Sequence, residues 1–202
     1  MSRPPSRRAL AMALLLLLCA ATGVAAHSWD GVARRLKRAG GAKVTAVQHG
    51  DSSGGADGSL RMEILLSAKG SARVERADKS NILVVRPDGG EILDHRHKQL
   101  IRLAQDDVRR AAGVWTLFLS DDASLEEQPL GRGRSLVLLP QADAATESVW
   151  VRVGADSLPT RLDFGPDRSV TLDLAGWTFV APPPSSRFHL KAPAGYDVVD
   201  WP

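Results

Sequence analysis

The chain has 202 residues, 24% of them charged and only 5% aromatic, with a formal net charge of +3. Three of its arginines, Arg3, Arg7 and Arg8, fall in the first 26 residues. The remaining chain carries 23 basic against 23 acidic side chains. That balance excludes the basic footprint of a nucleic-acid binder, and a single cysteine excludes a disulfide-stapled scaffold.

Residues 1–26 have the order of a cleavable secretory signal. A positive end is followed by an apolar stretch from Ala9 to Ala20, with five leucines at Leu14–Leu18. Val24-Ala25-Ala26 then offers small residues for cleavage. A membrane-spanning helix would need about 20 apolar residues, and this run reaches that only by counting Thr22 and Gly23. Cys19 follows Leu18 rather than a small residue, which argues against lipid attachment. The expected product is one domain over 27–202, free of cysteine, in the periplasm.

A short helix is expected over Ser28–Ala39, capped by Ser28, with Trp29, Val32, Leu36 and Ala39 at helical spacing. Around Leu36 it carries Arg34, Arg35, Lys37 and Arg38. These read either as a solvated face or as a contact surface for an acidic partner or anionic headgroups. His49–Gly58, with four glycines and two serines, reads as a loop.

From Leu60 the period becomes two: Leu60, Met62, Ile64 and Leu66 share one face of a strand. Ser71–Ala77 and Asn81–Arg86 continue as strands, and Pro87-Asp88-Gly89-Gly90 turns the chain into Glu91–His95. Asp106–Ser120 returns to helical spacing with Asp106 as cap, and Val108, Ala111, Ala112, Trp115 and Phe118 form its apolar stripe. Ser135–Leu139, Ser148–Val153, Thr160–Phe164 and Ser169–Leu174 are further strands, and Pro182-Pro183-Pro184 is extended loop.

The pattern predicts a mainly β (α+β) fold: a long antiparallel meander of nine to eleven strands, with two or three short helices covering its open face. Such a sheet either closes into a barrel or curls beneath a cover, with a half-barrel's worth of apolar inward positions. Inward positions are expected at Leu60, Met62, Ile64 and Leu66, at Val74, Leu83 and Val85, and at Leu138, Trp150, Leu162 and Leu172. Trp115 and Phe118 are expected to close the interior from the second helix. Periodicity alone does not separate a filled interior from a cavity.

Catalytic patterns are weak. His95 and His97 would point to one side of a strand end, and a metal site would require a third ligand such as His49. There is no cysteine pair, no His-Glu-x-x-His run and no nucleophile elbow. No metal, no cofactor and no catalytic residue is expected.

The C-terminal stretches carry a resemblance. Ser135-Leu136-Val137-Leu138-Leu139-Pro140, Val149–Val153 and Leu158–Phe164 follow one another as strands. Ser169–Trp177 then ends in Gly-Trp. Phe188-His189-Leu190-Lys191-Ala192-Pro193-Ala194-Gly195-Tyr196-Asp197-Val198-Val199 resembles a closing motif Phe-x-Phe-x-x-Pro-x-Gly-Val-x-Val. Upstream, Arg73-Val74-Glu75 is similar to an Arg-Trp-Glu strand, and Leu83–Gly89 to a hairpin ending in Asp-Gly. Together these resemble the periplasmic outer-membrane lipoprotein carrier family (LolA-like) across most of residues 29–200.

The resemblance implies an incomplete barrel with helices as a lid over a hydrophobic cavity for acyl chains. It implies a monomeric, non-enzymatic carrier, loaded by an inner-membrane ATP-driven release complex and unloaded on an outer-membrane lipoprotein receptor. Arg73 joins the helix cations as an expected partner contact. The chain departs from the family at Ala68-Lys69, where many members carry Arg-Pro, at Val74, which replaces an aromatic, and at Ile92-Leu93-Asp94. Those departures motivate one alternative, a paralogous carrier of another lipid such as a glycolipid or lipid-linked pigment precursor; a lipoprotein-sensing regulatory domain using the same fold is a second.

Overall fold

The computed structural model describes residues 30–50, 59–112, 114, 126–140 and 146–201. Its first element is helix α1, Asp30–Ala39, with Val32 and Leu36 buried and the arginines outward. Gly40 ends it: its N–H donates to the Leu36 carbonyl at 2.7 Å with φ +97. This is the left-handed closure that glycine adopts without a Cβ clash.

Six strands follow: β1 Gly41–His49, β2 Ser59–Ser67, β3 Ser71–Arg76, β4 Asn81–Arg86, β5 Gly89–Asp94 and β6 Gln99–Leu103. Helix α2, Gln105–Ala112, comes next. A second run of strands comprises β7 Glu126–Gly131, β8 Arg134–Pro140, β9 Thr146–Val153, β10 Pro159–Phe164 and β11 Val170–Val180. Single 3₁₀ turns lie at Pro166–Arg168 and Ser185–Phe188, and β12 spans Asp197–Asp200.

Among the described residues, twelve strands belong to one sheet, in the order β12-β6-β5-β4-β3-β2-β1-β11-β10-β9-β8-β7. Two meanders, β1–β6 and β7–β11, are joined where β1 pairs with β11. β7 and β12 stand at opposite edges, so the sheet is unclosed: an incomplete barrel. Cumulative strand twist prevents so wide a sheet from lying flat.

One face is continuously apolar. Ala42, Val44 and Ala46 of β1 stand opposite Leu66, Ile64 and Met62 of β2, small against large. Ala72 and Val74, then Leu172 and Leu174, Leu162, Val149 and Val151, and Val137 extend the same buried cluster to β8. Leu36 of α1 and Val114, just past α2, pack into it. α2 covers the other end, with Val108 against Val85 and Leu103.

The outer face of β2–β6 is covered by the C-terminal segment. Phe188, with Leu190, Ala192 and Tyr196, packs over Ile82, Val84, Leu93 and Leu100. The Arg86 guanidinium donates to the Phe188 carbonyl at 2.9 Å, and the Leu190 N–H donates to Glu91 at 2.6 Å. β12 then pairs parallel to β6.

Several expectations are corrected. The sheet has twelve strands, and its edge pair β12–β6 is parallel rather than part of an antiparallel meander. β1, β6 and β7 were not anticipated. α2 starts at Gln105, so Asp106 lies inside its first turn rather than at its cap, and the Ala104 carbonyl accepts the first helical N–H groups, those of Asp107 and Val108. Helical residues are described to Ala112, so Trp115 and Phe118 lie outside the described residues, as do Ser28 and Trp29.

Candidate functional site

The inner face is the candidate site. Alternation in β2 places Met62, Ile64 and Leu66 inside, each at most 4% exposed, with Leu60 half-buried at the strand's start. Val74, Leu162 and Leu172 join them in one cluster, and Leu83 bridges that cluster to the one beneath α2, where Val85 sits.

Leu138 and Trp150 are corrections. In β8 the inward positions are Ser135 and Val137, and in β9 they are Val149 and Val151. Val137 pairs with Val149, and Leu136 with Trp150, so Leu138 and Trp150 belong to the outer face. The pleat turns successive side chains to opposite faces, and a shift of one residue moves a whole strand's set across the sheet.

The expected partner contacts divide. Arg34, Arg35, Lys37 and Arg38 are all exposed. Arg35 is nevertheless tied down: it donates to the Asp156 carbonyl at 2.7 Å and lies 5.8 Å from the Phe179 ring centroid. It therefore holds α1 against the β9–β10 turn. Arg73 is corrected: its side chain is 16% exposed, pairs with Glu75 at 3.0 Å and donates to the Arg187 carbonyl. It is a clamp for the C-terminal segment rather than an open contact.

The histidines part company. β5 ends at Asp94, and the turn after it sends His97 to the Asp94 carboxylate at 2.8 Å and His95 to the Tyr196 hydroxyl at 2.8 Å. His49 sits instead beside Asp173 at 3.4 Å. Among the described residues no group of three potential ligands could hold a metal ion. Hydrogen bonding also sets two carboxylates. The Ser80 N–H and hydroxyl hold Asp78 below its ordinary range, despite the opposing effect of burial. At Asp94 burial works to raise the pKa, but His97 and the N–H groups of His97 and Arg96 outweigh it and lower it.

Two depressions flank the sheet. One of about 290 Å³ lies against β1–β3, where Lys43, Glu63, Arg73, Glu75 and Arg187 mix both charges. The other, about 270 Å³, lies between α1 and the β7–β8 turn, with Arg34, Glu127 and Arg134 on its walls. The second joins elements distant in sequence, so no local pattern marks it. Among the described residues no helix is long and apolar enough to cross a membrane.

No protein-family model matches the chain, and no curated protein matches it in sequence. Among solved structures it is similar to an uncharacterized conserved protein from Thermus thermophilus, at 15% identity and a TM-score of 0.49, over 86% of this chain and 99% of that one. It is similar to a LolA superfamily protein from Nitrosomonas europaea, at 10% identity and a TM-score of 0.40, over 82% and 99%. It is also similar to the Mycobacterium tuberculosis lipoprotein LppX, at 15% identity and a TM-score of 0.34, over 74% and 94%. The architecture described above rests on strand order and register in this chain.

Proposed function

We propose that this protein is a periplasmic, LolA-like carrier that shelters lipid acyl chains and shuttles lipoproteins from the inner to the outer membrane. Residues 1–26 would be removed on export, and 27–202 would act as one non-enzymatic domain. The observation that carries this reading is the single apolar inner face, running from β3 to β8 of an unclosed sheet and roofed by Leu36 and Val114. The sequence motifs around Ser135–Pro140 and Phe188–Val199 support it independently.

The physical need is clear. A buried CH₂ is worth about 0.8 kcal/mol, so a chain of roughly 16 carbons costs on the order of 12 kcal/mol in water. Leu60, Met62, Ile64, Leu66, Val74, Leu83, Leu162 and Leu172 are the proposed contacts for it, with helices that rest on the sheet as the movable part. An inner-membrane ATP-driven complex would load the carrier and an outer-membrane receptor would unload it. A paralogous carrier of another lipid is the second reading, favoured by the aliphatic Val74 at an inner position.

Protein isolated from periplasm should contain acylated lipid by mass spectrometry, and should release a model lipoprotein from inner-membrane vesicles. Release without lipid specificity, or a bound lipid other than lipoprotein, would select the second reading. No bound lipid and no release would overturn both.

A further inference from the structure

The outer face of β8–β10 has a feature that the carrier reading leaves unused. Arg134 and Arg152 are direct cross-strand partners on β8 and β9, and Arg152 is in turn partnered by Arg161 on β10. Like charges set opposite each other in a sheet oppose pairing. Arg161 is compensated by Asp163 at 2.8 Å, but no ion pair to Arg134 or Arg152 occurs among the described residues, and both are exposed. Beside this pair, on the same face, Leu136 partners Trp150, and Leu138 lies two residues further along β8. The Arg168 guanidinium covers the Trp150 ring at 3.7 Å from its centroid. Asp167 and Arg168 themselves hold φ of +50 and +58, left-handed values that non-glycine residues seldom adopt. The turn that delivers Arg168 to the indole is thus held by its surroundings.

A half-buried Leu-Trp pair bordered by exposed arginines has the composition of a bilayer-interface contact, with the guanidinium groups meeting lipid phosphates and the apolar pair resting against the headgroup region. We propose that this outer face is a peripheral docking surface for an anionic phospholipid membrane. Charge complementarity selects that occupant, and the Leu136–Trp150 pair favours a bilayer over an acidic protein. The proposal rests on the carrier reading only in that a carrier must visit membranes. It places Leu136, Trp150 and Arg152 on the side of the sheet opposite the cargo face, with Arg134 at the rim shared with the depression beside α1.

Co-sedimentation of the chain lacking residues 1–26 with vesicles tests this. Vesicles of 30% phosphatidylglycerol in phosphatidylcholine should retain the protein at low salt, and pure phosphatidylcholine vesicles should not. Arg134→Ser with Arg152→Ser should weaken binding at least tenfold, and Trp150→Ser should weaken it several-fold. The double variant should unfold no more easily than the parent, because it removes a repulsive pair. Unchanged binding by the double variant, equal binding to neutral vesicles, or no sedimentation at all would overturn the proposal. So would preferential capture of an acidic polypeptide such as polyglutamate. Binding of a fluorescent fatty acid, measured in parallel, should be unaffected by the three substitutions. Loss of that binding in the parent protein would instead count against the carrier reading.

Discussion

Asp94 closes β5 by accepting the N–H groups of Arg96 and His97, at 2.8 and 3.0 Å, and the His97 ring. Asp94→Ala should cost about 1 kcal/mol at pH 7, because it leaves two donors to find water. Asp94→Asn should cost less, since its side-chain oxygen can still accept. Both Asp94 and Asp78 have folded pKa values below the ordinary 3.8. Such groups contribute stability that is present above the unfolded value and lost as pH falls through the folded one. Urea midpoints of the parent should therefore decline below about pH 4, with a shallower decline in Asp94→Asn. Identical acid limbs would mean that these hydrogen bonds do not hold in solution. The residue scale was also where sequence reasoning erred. His95 and His97, two apart, suggested a shared side, but a strand that ends at Asp94 no longer alternates.

At the scale of elements, legibility followed side-chain contrast. β2 is read directly from Leu60, Met62, Ile64 and Leu66, because charged Arg61 and Glu63 mark its other face. β1 has the same inward alternation in Ala42, Val44 and Ala46, yet small residues and a glycine start gave a weak signal. In β8, Leu136, Val137 and Leu138 put apolar side chains on both faces, so nothing local indicates which side is inner; pairing with β9 decides it. The C-terminal segment was visible as a motif, but its parallel partner was not, because β6 and β12 are distant in sequence. That segment is the place for a stability test. Phe188 is 3% exposed and fills the outer-face cluster, so Phe188→Ala should cost about 3 kcal/mol through lost burial and a residual cavity. Val198, 47% exposed on β12, serves as control: Val198→Ala should stay within about 0.5 kcal/mol. Equal losses at the two sites would mean that the segment is held by its backbone pairing rather than by Phe188.

At the scale of the molecule, a carrier must combine a sheet that keeps its shape with a cover that lets cargo pass. The sheet is held by continuous pairing across twelve strands. α1 is held by less: buried Val32 and Leu36, Arg35 on the Asp156 carbonyl and near the Phe179 ring, and the close approach of Gly31 to Ser157. A Cβ at Gly31 would collide with the Ser157 backbone carbonyl, which cannot swing aside as a side-chain tip could. Gly31→Val should therefore lift the start of α1 from the β9–β10 turn while leaving every sheet pairing intact. On the carrier reading this weakens the cover, so a fluorescent fatty acid should dissociate several-fold faster, with a smaller change in association. Proteolysis at the α1–β1 junction should accelerate in parallel, because local opening rather than global unfolding governs it. Global stability should fall by only about 1–2 kcal/mol, in the range of a local overpacking defect. Leu36→Ala separates the two effects: it keeps the Gly31 contact but thins the roof, and should cost about 2 kcal/mol. Faster fatty-acid release in both variants, at unequal stability, would tie cargo retention to the seating of α1. Unchanged release in Gly31→Val, alongside the expected proteolysis, would place the gate elsewhere on the interior.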